Sequence, residues 1–107
     1  MEENQINIKS QHLELSKTIL KKYINEKTIV WIFGSRVLET FKPFSDLDIA
    51  LQYSNNEPIP LKIVASIKAD FVESDLPYKV DVIDYNSLSG KIKNNIDQNK
   101  IKLNFTN

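Results

Sequence analysis

Cysteine is absent from these 107 residues, histidine and tryptophan occur once each, and glycine occurs only twice. Without thiols there are no disulfides to staple a small core, and a zinc or iron–sulfur site has almost no soft donors to draw on. An excess charge of either sign is also missing, because 14 basic and 14 acidic residues cancel. That balance removes the positive field that drives non-specific nucleic-acid binding, so direct nucleic-acid binding is not expected. No apolar run approaches the roughly 20 residues of a membrane span. The opening stretch, Met1-Glu2-Glu3-Asn4-Gln5, is acidic where a secretory signal would be basic and then apolar. The expectation is a cytoplasmic protein without membrane association. It should form a single domain over residues 1–107, with 1–9 flexible and a core over about 28–105.

Scarcity makes the position of one glycine informative. An apolar run, Thr28-Ile29-Val30-Trp31-Ile32-Phe33, leads into Gly34-Ser35-Arg36, and with ten residues between Ser35 and Asp46 a second apolar run begins as Asp46-Leu47-Asp48-Ile49-Ala50-Leu51. A glycine after a strand permits a tight turn and close approach of a ligand. A serine entering a short helix can meet a phosphate oxygen, and the arginine adds a fixed positive charge. Alternation along a strand puts Asp46, Asp48 and Ala50 on one face and Leu47, Ile49 and Leu51 on the core face. Two carboxylates roughly 7 Å apart along a strand repel unless a cation compensates, and Mg²⁺, which prefers oxygen ligands, is the simplest candidate. The plainer alternatives are an ordinary Gly-Ser turn and a solvated Asp-x-Asp strand edge.

A third carboxylate lies in Tyr78-Lys79-Val80-Asp81-Val82-Ile83-Asp84-Tyr85, which reads as another strand. Asp81 is in mid-strand, where an unpaired charge is costly; it converges on the first two if the strands are neighbours, or else pairs with a lysine. Asp84 has the opposite parity and reads as a solvated or turn residue.

Helical spacing over Ser10–Asn25, with Ser10 as N-cap, predicts an amphipathic helix on whose polar surface His12 should sit. Pro58-Ile59-Pro60 introduces a second helix to about Ser74, with Leu61, Ile63, Val64, Ile67 and Phe71 facing the core. A third helix is expected over about Ser87–Asn99, and Ile101–Phe105 alternates like a terminal strand. Phe41 and Phe44, in the loop of residues 37–44, should tuck back onto the sheet; the alternative is that they stack on a base or meet a partner.

The block Phe33-Gly34-Ser35-Arg36, Ser45-Asp46-Leu47-Asp48-Ile49-Ala50 and Val80-Asp81-Val82 resembles the minimal nucleotidyltransferases, or MNT domains, of the DNA polymerase β superfamily. The resemblance runs from about Ile29 to Phe105 and implies an α+β fold, a small mixed β-sheet flanked by helices. It implies that Gly34, Ser35 and Arg36 bind the nucleotide. It also implies that Asp46, Asp48 and Asp81 are the catalytic ligands of two Mg²⁺ ions, with Asp81 helping to activate the attacking hydroxyl. Where many relatives continue with Ala-Arg-Gly, this chain has Val37-Leu38-Glu39, which thins the positive lining of the pocket, and Lys42 is a candidate substitute. The implied activity is transfer of AMP from ATP to an acceptor hydroxyl. The implied partner is a HEPN-domain ribonuclease toxin whose tyrosine is the acceptor, in a homo- or hetero-oligomer. The alternatives are a catalytically weak antitoxin acting by complex formation and an enzyme that modifies small molecules such as aminoglycosides.

Overall fold

The runs that alternate in the sequence become neighbouring strands of one sheet. The computed structural model describes residues 3–105, with β1 (Thr28–Phe33), β2 (Leu47–Tyr53), β3 (Val80–Asp84) and a short β4 (Ile101–Lys102) in the order β3-β2-β1-β4. β1 is antiparallel to β2 and β4, whereas β2 and β3 are parallel. A parallel pair cannot be closed by a tight turn, and α2 (Leu61–Glu73) supplies the crossover. α1 (Ser10–Lys21) precedes β1, and α3 (Gly90–Asp97) connects β3 to β4. The sheet is mixed and flanked by helices, as the motif resemblance implies. Among the described residues, no helix is long and apolar enough to cross a membrane.

Register sorts the side chains into rows. Ile32, Ile49 and Val82 align across three strands on the face where Ile19 and Leu20 of α1 and Val64, Ile67 and Phe71 of α2 complete the main core. On the other face Trp31, Ala50 and Ile83 align, and Ile96 of α3 with Tyr85 packs over them. The carboxylate face is therefore not bare along its whole length. It is open at the row Phe33, Asp48, Asp81 and covered one row further along the strands.

Several boundaries differ from the sequence expectation. α1 ends at Lys21, and its N-cap is Lys9, with no side-chain capping bond, so Ser10 is the first helical residue. Of the residues expected to be flexible, 3–9 are docked: Ile6 is buried, the Asn7 N–H donates to the Arg36 carbonyl at 2.7 Å, and the Glu3 carboxylate accepts from Lys17 Nζ and the Asn104 N–H, each at 2.7 Å. Met1 and Glu2 of that stretch lie outside the described residues. Leu61 is 85% exposed rather than core-facing, because it opens α2 and Ile59, just before the helix, fills the buried position. α3 starts at Gly90 because a 3₁₀ turn over Tyr85–Ser87 intervenes and Ser89 caps the helix through its side chain. β4 is only two residues, although Leu103 beyond it is buried and its N–H still donates to the Val30 carbonyl.

Ile67→Ala should lower the unfolding free energy by about 2–5 kcal/mol through cavity formation, whereas Leu61→Ala should change it by less than about 0.5 kcal/mol. Urea denaturation of the two variants checks the contrast. Equal losses would place Leu61 in the core.

Candidate active site

β1 ends with Phe33 opposite Asp48, and the chain leaves the strand through Gly34 into a 3₁₀ turn, Gly34–Val37. Gly34 has φ +79°, and a Cβ there would overlap the Asp48 Oδ2 oxygen. Both the backbone conformation and the close approach require glycine. Ser35 follows in the turn, which is closed by the Leu38 N–H donating to the Ser35 carbonyl at 3.0 Å. Gly34 and Asp48, 14 residues apart in sequence, are in contact because β1 and β2 pair with Phe33 opposite Asp48.

The third aspartate arrives from the other side. Asp48 and Asp81 are register partners on the parallel strands β2 and β3, so their backbones lie about 4.8 Å apart and both side chains occupy the open row. Asp46 sits exposed immediately before β2, whose entry is anchored by the Leu47 N–H donating to the Lys79 carbonyl at 2.9 Å. Partial burial, followed by the negative charges of Asp81 and Asp46, pushes the Asp48 carboxyl from its ordinary 3.8 up to about 6, with Lys79 opposing the rise. The Asp81 side chain remains 49% exposed, and Lys79 Nζ stands 4.0 Å from it. The lysine pairing considered as an alternative is thus present, as a loose surface contact, alongside convergence of the carboxylates.

This donor set suits Mg²⁺: hard oxygens only, with like charges in need of a cation. Among the described residues, no three carboxylate or imidazole side chains close around one point. Such an ion would complete its shell from triphosphate oxygens and water, as Mg²⁺ commonly does.

Arg36 does not fit the nucleotide contact expected of it. It is 3% exposed, with Nε donating to the Ser45 carbonyl at 3.0 Å, Nη1 to Asn7 at 2.8 Å and Nη2 to Pro43 at 3.0 Å. Its guanidinium lies 3.8 Å from the centroid of the Tyr78 ring. The side chain is a strut that ties the N-terminal segment and the loop before Asp46 to the Gly34 turn. Phe41 and Phe44 are also corrected: both are exposed, Phe44 at 76%, and with Pro43, Tyr78 and His12 they line a groove of about 540 Å³. The loop carbonyls are turned inward to Arg36, and the aromatic rings are left outside. His12 is half-buried against Tyr78 rather than on the polar surface, and Asp84 is a turn residue that accepts from the Ile59 and Asn86 N–H groups. Lys42 is exposed on the loop.

Lys79 escaped the sequence reading, although its parity with Asp81, two residues on, was a usable signal. Missed as well was a pocket of about 340 Å³ that starts at Phe33 and Gly34 and runs along α3, where Ile92, Asn95, Ile96 and Asn99 line it at helical spacing.

A four-stranded mixed sheet with a glycine turn seated against an Asp-x-Asp strand is the arrangement of a nucleotidyl-transfer fold. Residues 14–106 match the family described as polymerase beta, nucleotidyltransferase, and the chain belongs to that family. It is 42% identical over 85 residues to a probable protein adenylyltransferase, MntA, of Haemophilus influenzae, the match covering 79% of this chain and 72% of that protein. Among solved structures it is similar to a toxin–antitoxin with AMP-PNP (TM-score 0.69, 19% identity, 92% of this chain and 75% of that one). It is also similar to a mutant of the toxin–antitoxin MntA-HpeT carrying two Asp-to-Glu substitutions (TM-score 0.67, 18% identity, 88% and 73% covered). At those identities the structural likeness establishes the fold.

Two outcomes follow from this geometry. Because folding raises the Asp48 pKa, its contribution to stability is complete below about pH 4 and is lost as pH rises through about 6. Thermal melts in EDTA from pH 4 to 8 should show wild type losing stability relative to Asp48→Asn over that window, with the variant melting higher at pH 8. Arg36→Lys cannot reproduce the three-pronged fork and should cost about 3 kcal/mol, a fall in Tm of roughly 10–20 °C for a domain this size. An unchanged Tm would remove Arg36 from its structural role.

Proposed function

We propose that this chain is a Mg²⁺-dependent protein adenylyltransferase, moving AMP from ATP onto a tyrosine hydroxyl of a partner HEPN-type ribonuclease toxin and so acting as its antitoxin. The observation that carries this reading is the bare Gly34 turn seated against Asp48, with Asp81 beside it in register. The relative's printed name supports protein as the acceptor, and AMP-PNP in a similar toxin–antitoxin structure supports ATP as the donor. The substitutions in the MntA-HpeT mutant fall on aspartates two positions apart, the spacing of Asp46 and Asp48.

The roles follow from position. Gly34 lets the turn lie directly against the Asp48 carboxylate, and the Ser35 hydroxyl and N–H groups of the turn would meet the phosphates beside it. Two Mg²⁺ ions held by Asp46, Asp48 and Asp81 would neutralise the triphosphate and lower the pKa of the acceptor hydroxyl. Asp81, on the open β3 side, takes the hydroxyl proton at a carboxylate oxygen. The acceptor oxygen bonds to the α-phosphorus in line, the bond to the bridging oxygen breaks, and pyrophosphate leaves. Arg36 acts at one remove, fixing the loop that presents Asp46. Lys79, 4.0 Å from Asp81, adds a positive charge on the acceptor side of the carboxylate row.

A second reading, neutralisation by complex formation alone, draws on the exposed Phe41 and Phe44 beside their groove. Incubation of the chain with α-labelled ATP, Mg²⁺ and its co-purified partner separates the two. Label should move to a partner tyrosine, and Asp46→Asn/Asp48→Asn should reduce it at least about 100-fold. If the partner is neutralised equally by that variant and no label transfers, the complex-formation reading replaces this one.

A further inference from the structure

A cleft of about 360 Å³ between the end of α2 and the start of β3 opens on Asp81. β3 is the outer strand on this side, so the cleft lies across β2 from β1 and the Gly34 turn. Val72 lines it and is 81% exposed, a large apolar side chain that α2 does not turn to the core. Lys68, four residues earlier, shares that face of the helix. Among the described residues that line the cleft, Asp81 is the one acid, and Lys68 and Lys79 are the bases. Lys79 meets Asp81 only loosely, at 4.0 Å, and Lys68 forms no ion pair among the described residues. The other acids at this end of α2 are apart from it: Asp70 accepts from Tyr23 and Lys22, and Glu73 and Asp75 lie outside the lining. Tyr78 lines both this cleft and the aromatic groove of Phe41 and Phe44, so the two depressions adjoin. The groove too is lined by bases, Lys9 and Arg36, and by no described acid.

We propose that the cleft and the adjoining groove form a docking track for the acceptor protein, taking an extended acidic segment that carries the acceptor tyrosine and an apolar anchor residue. The proposal rests on the adenylyl-transfer reading above and specifies the kind of segment that reading requires. An acceptor hydroxyl has to reach Asp81, yet the carboxylate row itself offers a polypeptide only negative charge. Attraction must therefore come from the flanks of the row. Lys68 and Lys79 supply it for carboxylates, and since the chain as a whole is neutral, a preference for acidic segments has to arise locally. Val72 and the 76% exposed Phe44 supply apolar area, of the kind that marks interaction sites when it is grouped beside a functional centre. The spacing fits one continuous segment. Tyr78 is three residues before Asp81, about 10 Å of extended chain, so a segment with its tyrosine at Asp81 sets a residue three or four positions away at the aromatic groove.

The test measures binding of fluorescent glutamate/tyrosine and lysine/tyrosine copolymers to the full chain by anisotropy, in Mg²⁺ buffer without nucleotide. The proteins are wild type, Lys68→Glu/Val72→Glu and Phe44→Ser, whose altered side chains are all exposed, so both variants should fold. Wild type should bind the acidic copolymer at least about 10-fold more tightly than the basic one. Lys68→Glu/Val72→Glu should abolish that preference, and Phe44→Ser should weaken acidic binding about 3-fold or more. Affinity for Mg·ATP, read by calorimetry on the same proteins, should be equal in all three. Equal binding of the two copolymers by wild type, or a full preference kept by Lys68→Glu/Val72→Glu, overturns the track while the nucleotide site stands. Oligothymidylate binding as tightly as the acidic copolymer, or a dimer of this chain that Val72→Glu dissociates, also overturns it by assigning the surface another occupant. If wild type neither binds Mg·ATP nor transfers α-label to either copolymer, adenylyl transfer itself is overturned, and the acceptor role of the track with it.

Discussion

Everything in this domain is arranged around negative charges that the fold brings together against their own repulsion. Register sets Asp48 opposite Asp81, and the Gly34 turn is pressed against Asp48 so closely that no side chain fits between them. Neither feature stabilises the empty fold. A carboxylate held up to about 6 by burial and like charge makes the protein less stable than it could be, and a glycine at positive φ costs chain entropy. Such local costs are found where a ligand compensates for them, and a metal-bound triphosphate has the charge and shape to do so.

The rest of the structure holds these elements in place. Leucines, isoleucines and valines on the opposite face, from Leu47 to Val82, pack against α1 and α2 and fix the strand register on which the carboxylate row depends. Arg36 secures the loop before Asp46 from within, through carbonyls at Asn7, Pro43 and Ser45. A positive charge beside the Gly34 turn thus acts on backbone carbonyls. This also explains why the N-terminal segment is docked: Asn7 both donates to the Arg36 carbonyl and accepts from its guanidinium.

What the sequence disclosed, and what it hid, follows the range of the interactions concerned. Strands alternate with period two, so β1, β2 and β3 and the faces of Asp48 and Asp81 were legible from single runs. The Gly-Ser spacing to Asp-x-Asp was equally readable, since scarce glycines seldom mark a position without cause. Arg36 was misread because its partners are backbone carbonyls, which carry no residue signature. Phe41 and Phe44 were misread because the usual burial of aromatics was overridden by a loop turned inward to satisfy that arginine. The end of α1, the late start of α3 and the exposure of Leu61 depended on neighbours distant in sequence, which local periodicity cannot register. The pocket along α3 needed the packing angle of that helix over the sheet, known only once the chain is folded.

The crossover of α2 has a consequence for the order in which the site comes into being. Gly34, Ser35, Asp46 and Asp48 belong to β1, β2 and the segment joining them, a pairing of modest sequence separation. Asp81 joins only after residues 54–79 have wrapped across the sheet and β3 has docked in parallel beside β2. Closing that longer loop carries the larger entropic cost, so the half built from β1, β2 and the Gly34 turn is the more local structure, and the half that β3 contributes is the less local one. On the proposed reading, a growing chain would hold the means to grip a nucleotide before it held the means to use it.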